Sequence, residues 1–190
     1  TLLYDHIMHV LTNRSPALTL LTTTTRENLP QSIRFLEKRG FQRVMRTPTS
    51  EIDLTIFDPA NYADVIERVL AGGIEIHTVA ALKEQDPDWE QKLYALDWEG
   101  TQDEPQPDTP TQMSPDEYRK WFLEKPEVLL EGWFVAVDGA SGAYVGMSEL
   151  QRNLEDPAQL NTGFACVARA YRRRGIATAL KVKGLEFGKA

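Results

Sequence analysis

Three consecutive arginines, Arg172 to Arg174, are followed by Gly175 and then by apolar residues at helical spacing. The first turn of a helix has free backbone N–H groups, and the helix dipole adds partial positive charge there. Glycine lets an anion approach the backbone closely, and arginine supplies paired donors to phosphate. The segment therefore predicts a binding site for a diphosphate. The alternative is a solvated basic helix start without a ligand.

The elements on either side of this loop would position it. Residues 161–167 are expected to form a strand, and residues 173–190 are expected to form a helix with Ile176, Leu180 and Leu185 on one face. A strand that leads through a glycine-containing turn into a helix directs the helix N-terminus at a ligand. The pattern thus predicts where the anion binds and which backbone atoms bind it.

The stretch from Val167 to Ala177 resembles motif A of the GNAT N-acetyltransferases, on Arg172, Gly175 and Ala177 and on their distance from Val167. Arg169 stands where the family commonly has proline. The resemblance implies that N–H groups of the loop hold the pyrophosphate of acetyl-coenzyme A (acetyl-CoA), a co-substrate, and that the preceding strand pairs with its pantetheine arm. The implied cofactor-binding residues are Cys166 and Val167 on the strand and Arg172, Arg173, Arg174, Gly175, Ile176, Ala177 and Thr178 in the loop.

A second stretch, from Asn28 to Phe41, resembles motif B of the same family. Its plainer interpretation is a helix that ends at Gly40 and packs on a strand. The resemblance implies a contact of Asn28 with the cofactor. The family's frequent tyrosine, a general acid for the departing thiolate, aligns with Leu36. The chain therefore either has no general acid for the thiolate or uses another residue for this role.

Motif B ordinarily follows motif A, but here it precedes motif A, which indicates a tandem arrangement. Residues 1–58 resemble the C-terminal half of one GNAT repeat, residues 59–72 a linker helix, and residues 73–190 the N-terminal half of another repeat. Either the chain is a fragment of a longer tandem protein, or its halves complement one another. Complementation could occur within one chain or in a homodimer that exchanges half-domains. An ordinary single domain with coincidental motifs is the remaining alternative.

Acyl transfer to an amine needs a base for the amine proton, and a carboxylate near the cofactor strand is the usual choice. Glu149 ends the strand before the cofactor strand and is the candidate catalytic residue. An exposed charge at a strand end is the alternative for Glu149. Nine acidic residues and one basic residue lie between Glu84 and Asp108. An acidic wall there would favour a cationic amine substrate, whereas a solvated acidic loop is the plainer interpretation.

Composition limits the classes of partner. The 190 residues carry a net charge of −7, which argues against nucleic acid as a partner. No apolar run approaches the length of a membrane span, so no membrane partner is expected. One cysteine, Cys166, fits a reducing cytoplasm. His6 and His9 have no cysteine or acidic partner at a metal-ligand spacing, so no metal site is predicted.

The predicted fold is α/β (α+β): a mixed, mostly antiparallel sheet flanked by helices and splayed to admit an acyl-CoA. Strands are expected at residues 17–25, 41–46, 51–57, 74–82, 133–137, 144–150 and 161–167, and helices at 2–11, 30–39, 59–71, 86–98, 114–123 and 173–190. Acetyl-CoA-dependent N-acetyl transfer to an unidentified amine is the expected function. The alternative is a catalytically incompetent GNAT fragment that binds CoA or serves as an interaction module.

Overall fold

A computed structural model describes residues 2–13 and 19–190. The chain divides into two compact units, Thr1–Met45 and Arg46–Ala190. Each unit is considered by itself below.

The N-terminal unit contains two helices, α1 (Leu2–Thr12) and α2 (Pro30–Glu37), which confirms the two helices predicted there. They meet through an aromatic contact in which the rings of Tyr4 and Phe35 lie edge to face, with centroids 5.7 Å apart. The guanidinium of Arg39 covers both rings. Neither helix contains a fully buried residue. This unit therefore has little hydrophobic core of its own among its described residues.

The larger unit is built from a four-stranded antiparallel sheet in the order β1-β2-β3-β4. Its strands are β1 (Ile74–Thr78), β2 (Phe134–Asp138), β3 (Tyr144–Arg152) and β4 (Leu160–Val167). Its helices are α3 (Ala63–Ala71), α4 (Val79–Gln85), α5 (Trp89–Thr101), α6 (Pro115–Tyr118) and α7 (Ile176–Lys189). Two 3₁₀ turns, Pro59–Tyr62 and Arg169–Tyr171, precede α3 and α7, and a π turn, Arg119–Leu123, extends α6.

Both faces of this sheet are covered by helices. Because side chains alternate along a strand, Val135 and Val137 face one side and Ala136 the other. The first side packs on α4 and α5, where Leu93 is fully buried. The second side packs on α3 and α7, where Leu180 is fully buried. Each face thus has its own hydrophobic core.

Local sequence signals explain where several helices begin. Ser114 and Glu117 form a reciprocal capping box at the start of α6, as their spacing predicts. The Thr78 hydroxyl accepts a hydrogen bond from the N–H of Ala81 at 3.2 Å and caps α4. This cap ends β1 at Thr78, so the strand predicted over 74–82 is wrong beyond that residue.

Three predicted strands are absent from the described part of the chain. Residues 19–25, 41–46 and 51–57 form no strand, although they are rich in β-branched and other apolar residues. A strand is stable when a neighbouring strand and a packed face support it. Val44, Ile52 and Ile56 instead remain exposed. The Asp53 side chain also accepts hydrogen bonds from the backbone N–H and hydroxyl of Thr55, at 2.8 and 2.7 Å, a local turn that competes with a strand.

The predicted fold class is confirmed: α and β elements are mixed, and helices flank an antiparallel sheet. The predicted boundaries at residues 58 and 72, and the splayed cleft, stay predictions. Gly139 and Gly142, between the strands expected at 133–137 and 144–150, predict a hairpin turn; this turn joins β2 and β3, and Gly142 provides its positive φ of 69°. No described helix has the length and apolar character needed to cross a bilayer.

Candidate functional site

A cleft of about 730 Å³ lies between α5 and β4 in the larger unit. One wall is the last turns of α5 and the loop that follows, and the opposite wall is residues 163–167 of β4. Met113 and Phe122 add apolar surface. Gly100 lets α5 approach β4, because a Cβ atom there would lie 2.5 Å from the Cβ of Cys166. The cleft thus lies between the acidic segment, residues 84–108, and β4, the strand that precedes the arginine loop.

Glu149 reaches the cleft wall through an irregularity in β4. Ser148 pairs with Ala165 and Leu150 pairs with Thr162, so the β4 segment between these pairs holds one residue more than the β3 segment. The N–H of Phe164 in this bulge donates to the Glu149 carboxylate at 3.3 Å. Gln151 donates to the other carboxylate oxygen at 2.8 Å. The bulge therefore fixes the position of the carboxylate.

Gly163 provides the space that the Glu149 carboxylate occupies. A Cβ atom at position 163 would lie 2.1 Å from Oε2 of Glu149 and 2.6 Å from its Cδ. Gly163 itself lines the cleft, so the carboxylate lies beside a residue of the cleft wall without lining the cleft itself. Glu149 is only 3% exposed, and it is not the exposed strand-end charge of the alternative interpretation.

Burial raises the pKa of Glu149 above its ordinary value. The hydrogen bonds from Gln151 and Phe164 and the positive charge of Lys125 act in the opposite direction. A carboxylate whose pKa is raised toward neutrality is a stronger base than an ordinary surface carboxylate. Glu149 therefore has a higher proton affinity than an ordinary surface carboxylate.

Asp97 is a second carboxylate of the cleft, and the sequence analysis did not single it out. It lies on α5, and burial raises its pKa to about 6, with smaller contributions from the negative charges of Glu149 and Glu104. Its hydrogen-bond donor is the Thr101 hydroxyl, at 3.4 Å. A signal was present in the sequence, because Asp97, Thr101 and Glu104 share one helical face by their spacing. The depth of the cleft could not be predicted from that spacing.

We expect Asp97→Asn to stabilise the protein more at pH 8 than at pH 4.5. The pKa of Asp97 is raised from 3.8 to about 6 in the folded state, so the folded wild type binds this proton more tightly than the unfolded chain. Proton binding therefore stabilises the folded wild type fully below about pH 4, and this stabilisation is lost as the pH rises through about 6. The gain in unfolding free energy over the wild type should increase by about 2 kcal/mol between the two pH values. Urea unfolding at both pH values measures it, and an equal gain at both would contradict the assignment.

The arginine loop has the backbone shape that an anion site needs. Arg173 and Gly175 both have positive φ, 64° and 86°, and α7 begins only after them, at Ile176. This is later than the predicted start at residue 173, because left-handed residues interrupt the helix. The first helical bond runs from the N–H of Ala179 to the carbonyl of Gly175 at 3.0 Å. The preceding N–H groups, including those of Ala177 and Thr178, thus have no carbonyl partner within the helix.

Asp103 holds the arginine loop in place through hydrogen bonds from two arginines. Its carboxylate accepts two hydrogen bonds from Arg169, at 2.7 and 2.9 Å, and one from Arg172. These guanidinium groups, Arg169 first, hold the pKa of Asp103 down at about 2. The Nε of Arg172 also donates to the carbonyl of Val167 at 2.9 Å. Arg172 therefore joins the loop to β4 and to the end of α5, a role that the arginine run alone did not reveal.

The remaining residues of the arginine loop and of the first turn of α7 differ in their exposure and in their contacts. Arg173 is exposed and forms no ion pair with any described residue. Arg174 lies over the Tyr171 ring, 4.8 Å from its centroid, and donates to the carbonyl of Ala170. Ile176 is buried in the core, so it offers only its backbone to a ligand, whereas Ala177 and Thr178 are exposed. The charge available to a diphosphate thus comes chiefly from Arg173 and Arg174.

The remaining predicted cofactor-binding residues, Cys166, Val167 and Asn28, lie in three different environments. Burial raises the pKa of Cys166 to about 12, so its thiol stays neutral and packs in the cleft wall. Val167 pairs with Gly146 at the end of β4. Asn28 lies in an exposed turn before α2, in the N-terminal unit. The predicted contacts of these residues with a cofactor stay predictions.

Comparison with known proteins gives one family. Residues 90–190 match the model of the acetyltransferase (GNAT) family. The match covers α5, the sheet strands β2 to β4, the arginine loop and α7. No curated protein matches the chain.

Two solved structures share the fold. A crystal structure of a GCN5-related N-acetyltransferase from Sphaerobacter thermophilus is 20% identical, with a TM-score of 0.57 over 96% of this chain and 51% of that one. A GCN5-related glucosamine N-acetyltransferase region of a fungal multi-domain β-N-acetylglucosaminidase is 13% identical, with a TM-score of 0.61 over 99% of this chain and 23% of that one. The chain thus spans about half and about a quarter of the lengths of these proteins.

Proposed function

The chain belongs to the GNAT family of acetyltransferases, and on that premise we propose that it transfers an acetyl group from acetyl-CoA directly to an amine. The observation that carries this proposal is the joint position of two features on β4. The arginine loop follows the C-terminal end of this strand, and the buried Glu149 carboxylate is hydrogen-bonded to its bulge. The candidate cofactor anchor thus follows β4, and the candidate base on β3 is held in place by a hydrogen bond from β4.

The loop fits the pyrophosphate of acetyl-CoA. Gly175 supplies the positive φ of the turn before α7, the first N–H groups of α7 are free of helical partners, and Arg173 and Arg174 are exposed. Asp103 forms ion pairs with both Arg169 and Arg172, so these two residues hold the loop in shape. A helix N-terminus with nearby arginines is a favourable environment for a diphosphate. Acetyl-CoA supplies the activated acetyl group as a thioester.

Glu149 is the proposed base. Its carboxylate accepts the proton that the amine nitrogen loses as the new C–N bond forms and the thioester C–S bond breaks, and the CoA thiolate leaves and takes a proton from water. The bulge N–H and Gln151 hold the carboxylate in one orientation, so little reorganisation is needed during the proton transfer. The two hydrogen bonds and the positive charge of Lys125 lower the pKa of Glu149 and so offset part of the cost of its burial. Because its thiol is neutral, Cys166 takes no part as a nucleophile. We also propose that the protein works in a reducing, cytoplasmic compartment.

We expect the double variant Arg172→Ala/Arg174→Ala to weaken acetyl-CoA binding at least tenfold. The substitutions remove one charge beside the predicted anion site and the arginine that fixes the loop to Asp103, and charge-assisted hydrogen bonds contribute about 1.5–3 kcal/mol each. Calorimetric titration with acetyl-CoA measures the dissociation constant. Arg68→Ala/Lys83→Ala removes two exposed positive charges elsewhere and serves as the control. Equal affinity of the loop variant and this control would contradict the assignment of the loop.

Amine-dependent release of CoA thiol tests transfer itself. A panel of primary amines is incubated with acetyl-CoA and the chain, and thiol is followed with a chromogenic disulfide. Binding of acetyl-CoA without amine-dependent thiol release would favour the alternative function, a CoA-binding module without catalysis.

A further inference from the structure

Negative charge in the cleft is incompletely compensated by the described residues. Among the lining residues, Asp97, Asp103 and Glu104 are acidic and Arg172 is basic. Asp103 uses the charge of Arg172, together with that of Arg169. No described basic side chain forms an ion pair with Asp97 or Glu104. A carboxylate taken from water without a counter-charge lowers stability, and a bound cation would relieve that cost.

The Tyr118 hydroxyl does not supply the missing charge. It lies near both Asp97 and Glu149, since each of these carboxylates raises its pKa. The residue is 1% exposed, and its hydroxyl has no hydrogen-bond partner among the described residues. Burial, the largest cause, keeps the phenol protonated and neutral. Asp97 therefore has no cationic partner among the described residues, whereas Glu149 has the positive charge of Lys125 nearby.

Resting on the proposed acetyl transfer, we propose that Asp97 is a specificity-determining residue that binds a second ammonium group of the acceptor, so that alkyl diamines are the preferred acceptors. Asp97 lies on the α5 wall of the cleft, and Glu149 lies behind Gly163 on the β4 wall. An amine on the β4 wall beside Gly163 is therefore next to the Glu149 carboxylate and has Asp97 on the opposite wall. One ammonium reacts after losing its proton, and the other stays charged at Asp97.

The remaining walls fit an apolar spacer between two such groups. Met113 and Phe122 line the cleft and have no charge to compete for the ammonium. The Tyr94 hydroxyl donates to the carbonyl of Met113 at 2.5 Å, and the Phe122 ring stacks on Tyr118 with centroids 5.2 Å apart. These contacts fix an apolar surface along which methylene groups can pack. A monoamine of the same chain length would use this surface but leave Asp97 without a counter-charge.

A matched pair of probes tests the inference. Initial rates of acetyl-CoA-dependent acetylation are measured for 1,5-diaminopentane and pentylamine with the full chain. We expect the wild type to favour the diamine about tenfold in kcat/KM, since the ion pair forms in a partly buried site. Asp97→Asn should remove most of this ratio, and Asp97→Glu should restore part of it. The control Asp116→Asn removes a carboxylate that is 93% exposed and should keep the wild-type ratio.

The outcomes separate the inference from the proposed function. Acetylation of both amines without a diamine preference, or an equal ratio in the wild type and Asp97→Asn, overturns the inference and leaves acetyl transfer intact. Acetylation of neither amine, nor of the wider panel, contradicts the proposed function. Calorimetric titration with 1,5-diaminopentane then decides the inference: binding that Asp97→Asn abolishes supports it, and no binding, or binding unaffected by the substitution, overturns it.

Discussion

Glu149→Gln is expected to lower kcat for amine acetylation at least 10²-fold while acetyl-CoA affinity changes less than twofold. The substitution keeps the shape of the side chain and removes its ability to accept the amine proton. Glutamine can still accept the N–H of Phe164, and Gln151 can turn its amide to match. The fold around the bulge is therefore preserved, and the loss reports the proton transfer.

Glu84→Gln is the control for this prediction, since Glu84 is an exposed carboxylate on α4 and should be replaceable without effect on kcat. Steady-state kinetics give kcat and KM, and calorimetry gives the affinity for acetyl-CoA. A Glu149→Gln enzyme with wild-type kcat would exclude Glu149 as the base. A parallel fall in affinity and in kcat would instead indicate a structural role.

Gly163→Ala is expected to reduce kcat to a similar extent, although it changes no group that exchanges protons. The added Cβ would lie 2.1 Å from Oε2 of Glu149, so the buried carboxylate must move. Misplacing a catalytic group by about 1 Å can cost about 10²-fold in rate. Gly184→Ala on α7 is the matched control, because its Cβ would meet Leu150 at an ordinary 3.5 Å and alanine favours helix.

The double variant Gly163→Ala/Glu149→Gln distinguishes displacement of the carboxylate from general damage. If both substitutions act through the same carboxylate, the double variant should lose no more activity than Glu149→Gln alone. Kinetic measurements on the four proteins complete the cycle. Independent, multiplying losses would show that Gly163 acts on something other than Glu149.

The places of the arginine loop and of Glu149 in the fold could be predicted from the sequence because their signals are local. The arginine loop is a short run with a glycine before a helix, and Glu149 stands on the strand adjacent to β4. The positions of Asp97 and Gly163 at the cleft could not be predicted in this way. They depend on how α5 lies against β4 and on a one-residue bulge, which are tertiary features without a fixed sequence spacing.

The fold shows the same division between local and non-local signals. Helices with caps, such as α6 at Ser114, and the hairpin at Gly142 were predicted correctly because neighbouring residues determine them. The strand expected at residues 51–57 failed because β structure requires a partner that no local pattern provides. The early segments, with their threonine, leucine and isoleucine residues, therefore gave strand signals that the described structure does not realise.

Mass spectrometry of a reaction that contains the full chain, acetyl-CoA and a primary amine tests the central claim most directly. The account predicts N-acetylated amine in an amount equal to the free CoA produced, with both products strongly reduced for Glu149→Gln. Undiminished acetyl-CoA and no acetylated amine across the panel, from a protein that binds acetyl-CoA at the loop, would contradict the claim that this chain catalyses the transfer.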